Sequence, residues 1–169
     1  MKWFDRSFAF DQPAWMGANI IERLRGAPAR LEERLAGLPK EVLTTRVGGG
    51  WSIQEQAGHL LDLEPLWYGR IDDILRGDEI MREADLSNQK THEAGHNAVS
   101  LATILQAFRN DRDKYVRRVD QLKEVDLLKA SLHPRLMQPM RVLDLLFFTA
   151  EHDDHHMAEI TKLLKSVEG

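Results

Sequence analysis

Glu151-His152-Asp153-Asp154-His155-His156 puts three of the chain's seven histidines into five positions of what reads as the last long helix. His152 and His156 are four apart, so on an α-helix they stack on one face and can grip a single ion through two imidazoles. Two ligands rarely hold a metal, and a third has to come from another segment. The candidate is His59, in Trp51-Ser52-Ile53-Gln54-Glu55-Gln56-Ala57-Gly58-His59-Leu60, which reads as a second amphipathic helix. The expectation is an all-α helical bundle with a three-histidine metal site inside it.

The helix that carries the pair begins near Met140, and Leu145, Phe148, His152, His156, Glu159 and Leu163 fall within about 40° of one another on one face. Glu159 is therefore expected to point inward, as a proton acceptor or a partner for a ligand N–H. His155 lies about 60° off that line and is expected beside the site or at the surface. Glu151, Asp153 and Asp154 either orient the imidazoles from outside or form a solvated acidic edge.

On helix two, Ser52 and Glu55 form a Ser-x-x-Glu capping box after the flexible Val47-Gly48-Gly49-Gly50, and the helix runs to about Arg76. Leu63 and Leu66 lie within about 40° of His59, which places His59 in the core. Glu55 is a second candidate carboxylate, although the cap already accounts for it. Pro65 has no N–H for the carbonyl of Leu61 and predicts a kink or bulge. His59 lies near the start of its helix and His156 well before the end of its own, so antiparallel helices bring them level. Burying several imidazoles is costly unless each finds a partner, and one cation satisfies all three.

The 169 residues, 43% hydrophobic and 30% charged, suit one domain spanning 1–169 with a full core. A formal charge of -4 with scattered Lys and Arg argues against a nucleic-acid partner. No stretch approaches the roughly twenty apolar residues of a membrane span, and the expected location is the cytoplasm. Cysteine is absent, which removes disulfides, thiolate zinc sites and a cysteine nucleophile, and leaves His, Asp and Glu as the strong ligands.

Along the rest of the chain, the aromatic-rich arm over residues 1–12 is expected to pack on the bundle. A first helix starts after Asp11 and Pro13, carries Trp15, Ile20, Ile21 and Leu24 at helical spacing, and is broken by Gly26 and Pro28 before ending at Gly37. Residues 77–99 are too long for a simple turn and read as a crossover that lets helices two and three point the same way. Ser100 caps helix three, whose Leu101, Ile104, Leu105, Phe108, Tyr115, Val119 and Leu122 show core periodicity. Residues 123–138, with His133, form a short helical or irregular connection. His92-Glu93-Ala94-Gly95-His96 fits the H-E-x-x-H pattern of zinc peptidases, but it sits in the polar connector rather than on a packed helix. It reads better as a loop with two exposed histidines.

Trp51-Ser52-x-x-Glu55-x-x-x-His59-Leu60 and His152-Asp153-x-His155-His156-x-x-x-Ile160 resemble the helix-two and helix-four signatures of the DinB/YfiT-like superfamily of four-helix-bundle metalloproteins. Lys2-Trp3-Phe4-Asp5-Arg6 and Leu24-Arg25-Gly26-Ala27-Pro28-Ala29-Arg30 resemble one branch of it. The resemblance implies an up-down-down-up bundle, frequent homodimers, and His59, His152 and His156 as the metal ligands. Relatives of this kind include bacillithiol S-transferases, mycothiol-dependent isomerases and proteins described as metal-dependent hydrolases.

Three histidine ligands leave open coordination positions, as in catalytic sites. Neutral imidazoles favour zinc first, then nickel, with iron or copper also suited. Two reactions on a small-molecule substrate follow. The metal can bring a low-molecular-weight thiol to the thiolate for S-transfer, or activate water for hydrolysis with Glu55 or Glu159 as base. A non-catalytic, metal-stabilised stress or binding protein is the third reading.

Overall fold

The computed structural model describes residues 2–168. In chain order the helices are α1 (Gly17–Leu35), the short α2 (Lys40–Thr44), α3 (Ile53–Arg76), the short α4 (Gln89–Glu93), α5 (Leu101–Asp120), the short α6 (Glu124–Leu127) and α7 (Val142–Glu168). The four long ones form the bundle. Between α6 and α7, β1 (Ala130–Leu132) and β2 (Pro139–Arg141) pair antiparallel, with Ser131 opposite Met140.

Cross-helix contacts give the direction of each pair. Arg23 pairs with Glu151, Arg30 with Asp154, and Arg34 donates to Thr161, so α1 and α7 run parallel. Arg25–Asp120 and Glu32–Arg109 make α1 and α5 antiparallel. Glu64–Arg112 and Asp72–Arg118 make α3 and α5 parallel, and Gln56–His156 with Trp67–Phe148 make α3 and α7 antiparallel. This is the up-down-down-up arrangement, and residues 77–100 are its crossover.

Local chemistry fixes the helix ends. Ser52 Oγ accepts from Glu55 N at 3.2 Å while Glu55 Oε2 accepts from Ser52 N at 2.9 Å, and Gly77, at φ 85°, closes α3 in the left-handed region. Ser100 Oγ caps α5 through Thr103 N.

The first helix departs from the sequence expectation. It begins at Gly17 after a 3₁₀ turn over Ala14–Met16, leaves Trp15 exposed, and runs unbroken through Gly26 and Pro28. Pro28 has no N–H for the carbonyl of Leu24, but Arg112 Nη1 donates to that carbonyl at 3.3 Å, so the acceptor is satisfied and the helix continues. Helix α3 likewise continues through Pro65. The hairpin over 130–141 was also not anticipated, because strands this short carry no readable alternation.

The apolar interior is divided. One cluster gathers Ile20, Leu24, Trp67, Ile71, Tyr115 and Leu146, the other Leu31, Ile53, Leu60, Ile104, Phe108 and Ile160. Between them, at mid-bundle, lie the buried polar side chains of α3, α5 and α7: His59, Glu64, Arg112, His152, Asp153 and His156. The aromatic arm packs on this layer as expected, with Trp3 and Phe8 edge-on to Phe148 at 5.0 and 4.9 Å.

Candidate metal centre

His59 of α3 meets His152 and His156 of α7. All three are buried, and one nitrogen from each lies within 4.8 Å of the others. His152 Nε2 and His156 Nε2 are 3.1 Å apart, and the His59 ring centroid is 4.6 Å from that of His156. Ligands at roughly 2.0–2.1 Å around a tetrahedral ion sit about 3.4 Å from one another, close to this spacing.

The outer nitrogens are held so that inner lone pairs converge. Thr91 Oγ1 donates to Asp62 Oδ2 at 2.9 Å, so its oxygen accepts from His59 Nδ1–H at 3.0 Å. His156 Nδ1 donates to Gln56 Oε1 at 2.6 Å. Both rings therefore carry their proton on Nδ1 and offer Nε2 inward, the arrangement outer partners impose on metal-ligating histidines. His152 Nδ1 is buried without a hydrogen-bond partner among the described residues, and its ring is boxed edge-on by Trp3 at 5.0 Å and Trp67 at 5.4 Å. Burial pushes His59 down to about 4, against the pull of Asp62, and pushes His152 and His156 well below 6.5. All three are neutral at neutral pH, the state in which imidazole binds a metal. His152 Nε2–H can donate to the His156 Nε2 lone pair at 3.1 Å, and a cation at the convergence would take the place of that proton. The residues fit a divalent metal.

Behind the site, Asp62 gathers three groups. His96 Nε2 lies 2.8 Å from Asp62 Oδ2, Thr91 donates to the same oxygen, and Lys90 Nζ lies 3.8 Å from Oδ1. Burial pushes Asp62 up, but the bonds from His96 and Thr91 and the Lys90 charge hold it below the usual carboxylate value. His96 reaches Asp62 by lying across Gly58, where a Cβ would fall 2.3 Å from the imidazole. That close approach explains a glycine inside a helix, where it costs about 1 kcal/mol relative to alanine. Gly58, Asp62, Thr91 and Gln56 were not singled out from sequence. A mid-helix glycine beside the candidate ligand was the available signal.

The other sequence candidates are placed differently. Glu55 Oε2 accepts from Ser52 N and Arg46 Nε, and Oε1 pairs with Arg46 Nη2, so the cap and Arg46 occupy it and it does not line the cavity. Glu159 lines the same cavity as the three histidines and accepts from Lys162 Nζ at 2.5 Å. Glu151 and Asp154 pair with Arg6, Arg23 and Arg30, and Asp153 is buried against Arg112, so none of them orients an imidazole. His155 borders the cavity beside Trp3 at 5.6 Å. The H-E-x-x-H segment is not one helical face, because α4 ends at Glu93 and Gly95 turns at φ 61°. His92 is exposed, as expected, but His96 is buried on Asp62, which corrects the expectation of two exposed histidines.

The three histidines open onto a cavity of about 640 Å³. Leu63, Leu66, Trp67 and Phe148 give it apolar walls, Trp3 covers it, and Arg70, His133 and Arg135 lie among its lining. No described helix is long and apolar enough to cross a membrane.

The model of the DinB superfamily matches residues 23–160, and the chain belongs to that superfamily. Among solved structures it is similar to YfiT from Bacillus subtilis, described as a probable metal-dependent hydrolase with an unusual four-helix bundle topology. That match has a TM-score of 0.85 at 18% identity and covers 96% of this chain and 94% of that one. It is similar also to a mycothiol-dependent maleylpyruvate isomerase, with TM-score 0.67 at 10% identity, covering 89% of this chain and 62% of that one. The colibactin self-resistance protein ClbS, solved in complex with a dsDNA, matches with TM-score 0.68 at 14% identity over 88% of this chain and 95% of that one. No curated protein sequence matches the chain significantly. At these identities the likenesses show the shared bundle.

Proposed function

We propose that this chain, as a single domain, is a metal-dependent enzyme acting on a small molecule, with His59, His152 and His156 holding one divalent transition ion. The observation that carries it is the convergence of three neutral, buried imidazoles, two of them locked at Nδ1, on one point that opens onto a cavity. Zinc is the first choice for this donor set, with nickel or iron next. When bound, the ion supplies Lewis acidity that lowers the pKa of a thiol or of water in its open positions. The residues supply the rest. Thr91 and Gln56 fix two rings, Trp3 and Trp67 shield the third from water, and the apolar walls receive the substrate body.

Thiol-dependent S-transfer is the favoured reaction. Both acidic candidates for a water-activating base are engaged elsewhere, Glu55 by Arg46 and Glu159 by Lys162, and thiol chemistry does not require either. This reading places the enzyme in the cytoplasm, where thiols stay reduced, and includes a homodimer. A net charge of -4 supports a small-molecule ligand over DNA. Hydrolysis is the second reading, favoured by the description of the Bacillus subtilis neighbour. Metal-loaded protein should be incubated with a panel of small thiols and an activated aryl halide, and separately with nitrophenyl esters. S-transfer predicts a thiol adduct by mass spectrometry that depends on the metal and is lost in His156→Ala. Metal-dependent ester cleavage with no adduct would replace it with hydrolysis.

A further inference from the structure

The far end of the same cavity has too many donors. Arg70 follows His59 by eleven residues, three helical turns, so Leu63, Leu66 and Arg70 continue the His59 stripe along about 16 Å of α3. Arg70 is 2% exposed, and among the described residues no carboxylate lies within ion-pair distance of it. Its Nε donates to Arg82 O at 3.1 Å, and its Nη1 lies 3.1 Å from His133 Nε2. The acids nearest in sequence are held elsewhere, Asp72 by Arg118 and Asp73 by Arg82 and Arg76.

His133 cannot satisfy Arg70 and its own loop together. Its Nδ1 lies 3.2 Å from the backbone N–H groups of both Arg135 and Leu136, which need an acceptor there. Burial and the charges of Arg70 and Arg135 push His133 down to about 3, so the ring is neutral and has one lone pair. If Nδ1 accepts from the loop, Nε2 carries the hydrogen and confronts the N–H of Arg70. If Nε2 accepts from Arg70, a Nδ1–H confronts two backbone N–H groups. Either way one acceptor is missing. Arg135, at the tip of the β1–β2 turn, adds to the shortage: its Nη2 is buried without a partner among the described residues, and its guanidinium carbon lies 5.3 Å over the Phe4 ring. The acids that also line this cavity, Glu83, Asp85 and Glu159, do not supply the acceptor. Asp85 bonds Ser87 and Gln89, Glu159 bonds Lys162, and Glu83 is exposed at the mouth.

We propose that Arg70, Arg135 and His133 form an anion pocket that holds a carboxylate or phosphate of the substrate, separated from His152 by the Trp67 ring. This deepens the proposed function and rests on it for the reacting end. The substrate is then an elongated small molecule with an anionic terminus between the guanidinia, an apolar body against Leu63, Leu66 and Trp67, and its reacting group at the histidines. An oxyanion accepts from both arginines and from His133 Nε2–H, which resolves the donor conflict and neutralises buried charge.

Calorimetric titration with hexanoate, hexyl phosphate and hexan-1-ol tests this, on metal-loaded and on chelator-treated protein. The anions should bind in both forms, and Arg135→Met should weaken them roughly ten- to a hundredfold while leaving hexan-1-ol unchanged. Arg70→Met should do the same where circular dichroism shows it folded; Arg135→Met stands alone if it is not. The stronger of the two anions identifies the terminal group. Anion binding that requires the metal, or that is indifferent to Arg135→Met, would overturn the pocket. Because the chelated arm needs no metal, failure of the metal reading leaves this result readable.

Discussion

Arg112→Met should be among the most damaging single changes in the fold. Arg112, Glu64 and Asp153 are each 2% exposed or less. Arg112 donates through Nη1 to Asp153 Oδ2 at 2.5 Å and through Nη2 to Asp153 Oδ1 at 3.0 Å. It also donates through Nη2 to Glu64 Oε1 at 2.6 Å, through Nε to both Glu64 oxygens, and through Nη1 to Leu24 O. Methionine keeps much of the volume and removes every donor, leaving two buried carboxyl groups and the Pro28-orphaned carbonyl unpaired. Breaking a buried pair in this way costs about 3–5 kcal/mol, a large share of a total stability of about 5–15 kcal/mol. The cost depends on pH. Burial, only partly offset by Arg112, raises Glu64 to about 7, so the folded state binds more protons at this site than the unfolded chain between about pH 4.5 and 7. The Glu64 contribution is therefore fully present below the unfolded value and lost as pH rises through about 7. Without Arg112 both carboxyls titrate higher still, so the variant's deficit should be largest at neutral pH and smaller near about pH 5. Urea unfolding followed by circular dichroism at both pH values measures it. A loss under about 1 kcal/mol at neutral pH would refute the claim that this triad supports the mid-bundle layer.

Other expectations follow from the same contacts. Thr91→Val removes the hydroxyl between His59 and Asp62 and should weaken metal binding roughly 10–100-fold with the helical spectrum unchanged, as read by chelator competition. Gly58→Ala places a Cβ 2.3 Å from the His96 ring; His96 must leave Asp62, and stability should drop by about 1–3 kcal/mol despite the better helix propensity, as measured by urea unfolding. An unchanged midpoint would show that His96 moves aside freely. For the metal-free protein, His59 at about 4 and His152 and His156 well below 6.5 mean that the folded state binds fewer protons than the unfolded chain below about pH 6.5. The contribution of these three histidines should therefore rise with pH across about 4 to 6.5, against the opposite Glu64 contribution, so His59→Ala should flatten the rise in thermal melts, and saturating zinc should stabilise the wild type more at neutral pH than in acid.

The bundle was legible because its signals are local and periodic: the Ser52–Glu55 box, the Ser100 cap, and apolar stripes on four segments. The histidine trio was legible for a similar reason, since His152 and His156 share a face by spacing and His59 interrupts an apolar stripe at matching depth. What stayed hidden depends on contacts between segments. Pro28 looked like a helix break because the donor that replaces its N–H comes from Arg112, 84 residues away (112 minus 28). Arg112 itself lies between Phe108 and Tyr115 on the core stripe of α5, a position where arginine requires buried acids, and Glu64 and Asp153 were not recognised as those acids. His96 looked exposed because its segment is polar; only the gap at Gly58 shows why it is buried. Glu159 has the right helical angle and lines the cavity, but its pairing with Lys162, three residues on, carried no signal.

The central claim is that His59, His152 and His156 hold one metal ion, and metal content per chain by plasma mass spectrometry on untagged protein tests it most directly. Wild type should carry close to one transition metal per chain and His59→Ala should fall to background while remaining helical. Absence of metal in wild type after incubation with zinc and nickel, or full retention in His59→Ala, would contradict it.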